Sequence, residues 1–172
     1  MTEKQQRILE VALRMFAEHG YDGTSTSKIA REAGVSEGLI FRHFSNKEGL
    51  LNAIMEQGKQ IARAAYGPVL EQTDPRAVLR GVLELPFNMQ EHHFWRLLYA
   101  LKWQTQVYDH SLSAPLKHAL LGVFTRLNYA DPEAETEVVL ALIDGLATAI
   151  ILRKPHNLQH MKQAILEKYH LG

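Results

Sequence analysis

At 172 residues the chain is long enough to bury a sizeable hydrophobic core, either as one compact unit or as a small head on a larger body. Nineteen lysines and arginines balance nineteen aspartates and glutamates, so there is no basic excess of the kind that drives bulk binding to nucleic acid or membranes. The lack of cysteine excludes a disulfide framework, a thiolate metal site and a thiol redox sensor, and points to a reducing, cytoplasmic home.

The opening MTEKQQRILE is polar and has no apolar run after its charges, unlike a signal peptide. From Lys4 to His19, Ile8, Leu9, Ala12, Leu13, Phe16 and Ala17 keep the i, i+3, i+4 rhythm of an amphipathic helix, which Gly20 ends. The stretch from Thr24 to Leu51 then holds three helix starts. The hydroxyls of Thr24 to Ser27 can cap a short helix carrying Ile29, Ala30 and Ala33, and Gly34 supplies the left-handed turn that stops it. Ser36 can open a second helix with Ile40 and Phe44 facing inward. Ser45-Asn46-Lys47-Glu48 fits the S-x-x-E capping box and opens a third, running on through Leu50, Leu51, Ile54 and Met55. Once the apolar residues are assigned to a core, Glu37, Gly38, Leu39, Phe41, Arg42 and His43 are left outside. Such a face can hydrogen-bond base edges and touch a thymine methyl, while Thr26 and Lys47 at helix starts can meet phosphates. The same pattern also builds a three-helix unit that never meets DNA.

Phe16, Gly20-Tyr21, Thr24 to Thr26, Ile29-Ala30, Ala33-Gly34-Val35-Ser36, Gly38, His43-Phe44, Lys47-Glu48 and Leu50 together resemble the DNA-binding domain of the tetracycline-repressor (TetR) family of bacterial regulators. The resemblance covers roughly the first third of the chain. It implies that Thr26, Phe41, His43 and Lys47 contact phosphates, and that Glu37, Gly38, Leu39 and Arg42 form the recognition-helix face. Three positions depart from the family pattern, where a cation is common in place of Glu37, a small polar residue in place of Leu39 and a tyrosine in place of Phe41. The head gains no help from bulk charge, since residues 1–50 hold seven basic and seven acidic side chains. Local placement must act instead.

Beyond the head, the helix begun at Ser45 is expected to run to about Ala65, where Gly67-Pro68 interrupts it. Asp74-Pro75 caps the next helix, which Pro86 stops after Leu85. Gln90 to Tyr108 is dense in aromatics, with Trp95, Tyr99 and Trp103 in one stripe. Most such residues are core, and the alternative is a pocket wall made by Phe94, Trp95, Tyr99 and Trp103, since regulators of the resembled family hold a ligand cavity in the C-terminal domain. Ser113 and Pro115 open a helix with Leu116, Ala119, Leu120, Val123, Phe124 and Leu127. Asp131-Pro132-Glu133 opens another, reaching Arg153. Within it Val138 to Leu152 is apolar on nearly all sides and holds Asp144, too short to span a bilayer and so expected to be a buried helix. These two helices are read as a dimer interface through Leu120, Phe124, Leu142, Gly145, Leu146 and Ala149, against the alternative of a monomer's central helix. Asn157 to Tyr169 forms a last amphipathic helix.

Nine histidines invite a metal reading, yet His156 and His160 lack the further ligand that a site needs, and no metal or cofactor is expected. There is no phosphate loop and no G-x-S-x-G motif. The resulting expectation is an all-α protein with a three-helix DNA-binding head (residues 1–50) and a helical effector-binding and dimerisation body (residues 51–172). It implies a homodimeric, cytoplasmic regulator, a repressor rather than an enzyme. Its expected partners are double-stranded operator DNA and a small apolar or aromatic effector, without a membrane. A helical protein-interaction module and a small helical enzyme are the competing readings.

Overall fold

The computed structural model describes residues 1–88, 93–98 and 113–172, and among them regular structure is helical throughout, with no strand. In chain order the elements are α1 (Glu3–His19), α2 (Thr26–Ala33), α3 (Glu37–Phe44), α4 (Lys47–Leu70), α5 (Pro75–Glu84) and a 3-10 turn (Leu85–Asn88). They continue with α6 (93–98), α7 (Ala114–Arg126), α8 (Pro132–Thr148), a π-helical turn (Ala149–Arg153) and α9 (Leu158–Lys168). The expected all-α class is the observed one.

The chain divides into two compact units, one holding residues 1–60 with 93–98, the other residues 61–88 and 113–172. This boundary differs from the expected one after residue 50. Leu50 and Ile54 of α4 are buried with Ile8, Phe16, Ile29 and Ile40 in the first core, which also takes Leu97 of α6. The first half of α4 therefore belongs to the first unit by packing.

In that unit α1 buries the stripe Ile8, Leu9, Ala12, Phe16 and Ala17, each large side chain contributing on the order of 1.5–3 kcal/mol. Its start is a capping box not singled out in the sequence: the Thr2 hydroxyl accepts from the Gln5 N–H, and the Gln5 side chain accepts from the Thr2 N–H. At its end Gly20 adopts φ +79°, a conformation that L side chains rarely reach. Thr24 does not cap α2. It is buried, and its hydroxyl donates to the Gly20 carbonyl at 2.9 Å, while Ser25 accepts from the Lys28 N–H.

Two boundaries correct the sequence reading. Ser45 does not cap α4: it closes α3 at φ +66°, and Asn46 takes over the cap, its Oδ1 accepting from the Gly49 N–H at 2.7 Å. A residue committed to the end of one helix cannot also hold the extended conformation of the next cap. Nor does Gly67-Pro68 interrupt α4, which continues to Leu70. Proline in a helix costs about 3 kcal/mol, but Pro68 lies in the last turn, and Tyr66, Val69 and Leu70 are drawn into packing in the second unit. Gly81 of α5 makes room there, since a Cβ at that position would fall 2.5 Å from a Val69 methyl.

The second core joins Val78, Leu79, Val82 and Leu83 of α5, Leu120, Val123 and Phe124 of α7, Val139 and Ile143 of α8, and Leu166, Tyr169 and Leu171. Asp74 and Asp131 cap α5 and α8 by accepting from Arg76 and Ala134 N–H groups, each followed by a proline in the first turn, as expected. Val138 to Leu152 is not the fully buried helix expected: Val138 and Leu152 are 54% and 65% exposed.

Candidate nucleic-acid interface

The turn between α2 and α3 is built as the sequence implies. Gly34 takes φ +67°, ψ 36°, its N–H and that of Val35 return to carbonyls of α2, and α3 starts two residues later. Ile40 is wholly buried and fixes which side of α3 faces outward. On that outward side lie Gly38, with open space where a Cβ would be, Arg42, and Phe41, 45% exposed. Leu39, expected among the outer residues, is half-buried and packs partly against the first core. One turn of α3 brings it to the edge of the buried stripe, and its apolar surface is better hidden there.

The remaining candidates are tied to neighbours far away in sequence. The Thr26 hydroxyl donates to a Glu37 carboxylate oxygen at 2.6 Å, linking the starts of α2 and α3. His43 Nδ1 lies 3.1 Å from the Gln5 amide nitrogen, linking α3 to α1. The Lys47 ammonium sits 4.1 Å from the centroid of the Tyr21 ring and 6.0 Å from that of Phe16, a cation–π placement at the start of α4. Burial, with Glu48 and Asp22 nearby, raises the Tyr21 phenol above its ordinary value, so the ring that Lys47 rests on is neutral at physiological pH. Arg14 holds Glu32 at 2.9 Å, tying α1 to α2; two of the head's acids, Glu32 and Glu37, are thus engaged within the protein. Arg42 stands exposed with no such tie among the described residues, which leaves its five donors for an external acceptor. Gln5, the residue with no signal of its own in the sequence beyond a polar helix start, joins the set through His43.

Residues 8–54, which include α2, the turn and α3, match the family described as bacterial regulatory proteins, tetR family. The head, over these residues, is of the TetR type. A curated TetR-like relative, the HTH-type transcriptional repressor AcnR of Corynebacterium glutamicum, is 41% identical over 85 residues, covering 49% of this chain and 43% of that protein. The matched stretch thus spans less than half of that relative's length. The crystal structure of the TetR family transcriptional regulator PfmR from Thermus thermophilus has the same fold over 97% of this chain and 95% of that one, with a TM-score of 0.76 at 22% identity. The regulator FadR of Bacillus subtilis, solved in complex with stearoyl-CoA, matches with a TM-score of 0.70 at 20% identity over 94% of this chain and 95% of that one.

The effector candidates are only partly described: Tyr99 and Trp103 lie outside the described residues. Phe94 is buried, its ring lying directly on α4 at Gly58 and edge-on to half-buried Trp95, with ring centroids 5.3 Å apart. A groove of about 310 Å³ in the same unit is lined by Glu10, Val11, Leu13, Arg14 and His93, and one of about 440 Å³ in the second unit by polar residues including Arg76, Arg80, Glu84 and His170. Neither is walled by Phe94 or Trp95. Among the described residues no group of three or more His, Asp or Glu side chains converges to hold a metal ion, and no helix is long and apolar enough to cross a membrane.

Of the six residues read as a dimer interface, Leu120, Phe124, Leu146 and Ala149 are buried in the protomer, each at most 7% exposed. Only half-buried Leu142 and exposed Gly145 reach the surface. The apolar surface that α8 does present is Val138, Ala141, Leu142 and Gly145 at i, i+3, i+4 and i+7, with Leu152 beyond; α7 exposes Gly122 beside half-buried Leu121. The helices are apolar on two sides, and the sequence does not distinguish the side spent on the protomer's own core.

Proposed function

We propose that this chain is a ligand-responsive transcriptional regulator of the TetR family, a repressor, that binds a near-palindromic operator as a cytoplasmic homodimer and performs no catalysis. The observation that carries the reading is the outward face of α3, where Arg42 and Phe41 are exposed while Ile40 anchors the helix in the core. Arg42 is the base-reading residue, suited to the paired acceptors of a guanine in the major groove. Lys47, held over Tyr21, and His43 meet phosphates. Thr26 and Phe41 flank them, Gly38 allows close approach, and Leu39 contributes only its exposed edge. Glu37, held by Thr26, accepts from a cytosine amino group or repels phosphate, and so favours specific over non-specific complexes.

Residues 1–50 are the DNA-binding part in this reading, and residues 51–172 serve effector binding and dimerisation. The exposed apolar stripe of α8 with Gly122 of α7 supports self-association: an isologous contact between two such stripes buries surface that is otherwise wet. A small apolar or aromatic effector binds beside Phe94, Trp95, Tyr99 and Trp103, a reading supported by a FadR structure that holds stearoyl-CoA. Phe94 resting on Gly58 gives such an effector purchase on α4, the helix that begins at Lys47. Differential binding to the two states of that helix would weaken operator affinity with a coupling of about 1–3 kcal/mol.

Selection of bound fragments from random duplex DNA tests the proposal. Enrichment of a two-fold-related sequence with half-sites about one or more helical turns apart is the expected result. A pool that stays random after repeated rounds would refute it.

A further inference from the structure

The contact between Gln5 and His43 carries more information than its length, because both ends of the Gln5 amide are spoken for. Its Oε1 lies 2.7 Å from the Thr2 backbone nitrogen, which can only donate. The carbonyl end is therefore fixed on Thr2, and the NH₂ end faces His43 Nδ1 at 3.1 Å. Turning the amide over would set N–H against N–H at Thr2, so the capping box of α1 decides the orientation. An NH₂ group donates only. His43 Nδ1 must accept, and the neutral imidazole then carries its proton on Nε2. Nε2 has no hydrogen-bond partner among the described residues, and His43 lies on the recognition helix, half-exposed. Its ring is also steadied edge-on by Phe44, with centroids 6.2 Å apart.

We propose that Gln5 is a positioning residue for DNA binding: through the Thr2–Gln5–His43 chain it locks His43 in the tautomer whose free nitrogen donates a hydrogen bond to a backbone phosphate of the operator. Neutral imidazole in the other tautomer turns a lone pair toward the phosphate and is repelled. The first turn of α1 thus sets the chemistry of a contact made by α3, although Gln5 itself touches no DNA. This inference rests on the proposed operator binding by α3.

The experiment pairs a spectroscopic readout on the free protein with affinities for a duplex enriched by the wild-type chain from random DNA. Long-range proton–nitrogen NMR assigns the imidazole tautomer, with His43→Ala identifying the signal. Wild type is expected to hold the proton on Nε2, Gln5→Leu to mix the tautomers, and Gln5→Glu to shift the proton to Nδ1. Gln5→Glu keeps the acceptor for the Thr2 N–H and so preserves the α1 cap, which separates loss of positioning from loss of helix stability. Gln5→Leu should weaken operator binding about fivefold, and should have no effect in a His43→Ala background, the coupling of a residue that acts only through its neighbour. An Nδ1–H tautomer in wild type overturns the inference irrespective of DNA. The expected tautomer with unchanged affinity in Gln5→Leu, or an equal loss in the His43→Ala background, overturns the positioning role while leaving operator binding intact. Wild-type protein that binds no duplex overturns the functional reading and this inference together.

Discussion

Gly58→Ala tests whether the described aromatic segment bears on α4 as tightly as the structure implies. In an exposed helix interior this change stabilises by about 1 kcal/mol, because alanine loses less backbone entropy. Here the new methyl would fall on three carbons of the Phe94 ring at distances under the 3.0 Å that real Cβ atoms respect. The ring is 1% exposed and braced by Trp95, so it cannot simply swing into solvent. Overpacking of this kind costs typically about 1–3 kcal/mol, which cancels or outweighs the helical gain and leaves a net loss of up to about 2 kcal/mol. Urea denaturation of the full chain followed by helical circular dichroism measures it. In a Phe94→Leu background, where the obstruction is smaller, the same substitution should be neutral or stabilising, giving a coupling of about 1–3 kcal/mol. If Gly58→Ala stabilises both backgrounds equally, Phe94 does not press on α4 and the proposed route from effector to head loses its first contact.

Arg42→Ala should cost roughly 1–3 kcal/mol on the selected operator and relax preference at one base pair, measured by competition among single-base variants; a uniform loss on every sequence would make Arg42 a phosphate contact. Gly145→Leu should dissociate the dimer in sedimentation without unfolding the protomer, since nothing lies within 4 Å of a Cβ placed there; an unmutated chain that is monomeric at micromolar concentration would contradict the interface. The Tyr66 hydroxyl is buried without a hydrogen-bond partner among the described residues, so Tyr66→Phe should leave thermal stability unchanged or raise it by up to about 1 kcal/mol, and a clear loss would mean the hydroxyl is satisfied in solution. Burial raises the phenols of Tyr21, helped by Glu48 and Asp22, and of Tyr169, helped by Glu135 and Tyr129. A raised folded value stabilises fully below the ordinary tyrosine range near pH ~10 and is lost as pH climbs through the folded value. Unfolding midpoints should therefore fall above pH ~10, less so in Tyr21→Phe and Tyr169→Phe, and midpoints that rise there would refute the assignment.

Local grammar made much of this fold legible. Gly34 at its left-handed turn and the Asp-Pro starts of α5 and α8 act within four residues, and the structure keeps them. Misreadings arose where two local signals compete: Ser45 and Asn46 are both good caps, and only the demand of α3 for a positive-φ residue at its end decides between them. Pro68 is a strong breaker by itself, yet packing around Tyr66, Val69 and Leu70 overrides it. For α7 and α8 the periodicity allows two apolar sides; the choice that put Leu120 and Phe124 in the second core depends on the packing of α7 against α5 and α8, and Leu146 and Ala149 are buried as well. The ties Thr26–Glu37 and Gln5–His43 join positions 11 and 38 residues apart, so no pattern of spacing announces them.

The central claim is that this chain recognises duplex DNA through α3 and the phosphates around it, and the salt dependence of binding tests it most directly. Fluorescence anisotropy on the selected duplex and on a scrambled one, repeated across a salt series, gives both specificity and the number of phosphates neutralised. The account predicts that the logarithm of affinity falls linearly with the logarithm of salt by about 0.9 for each phosphate contacted, that the selected duplex binds far tighter than the scrambled one, and that Lys47→Ala flattens the slope while Arg42→Ala narrows the gap between duplexes. Equal affinity for both duplexes, or binding indifferent to salt, would contradict it.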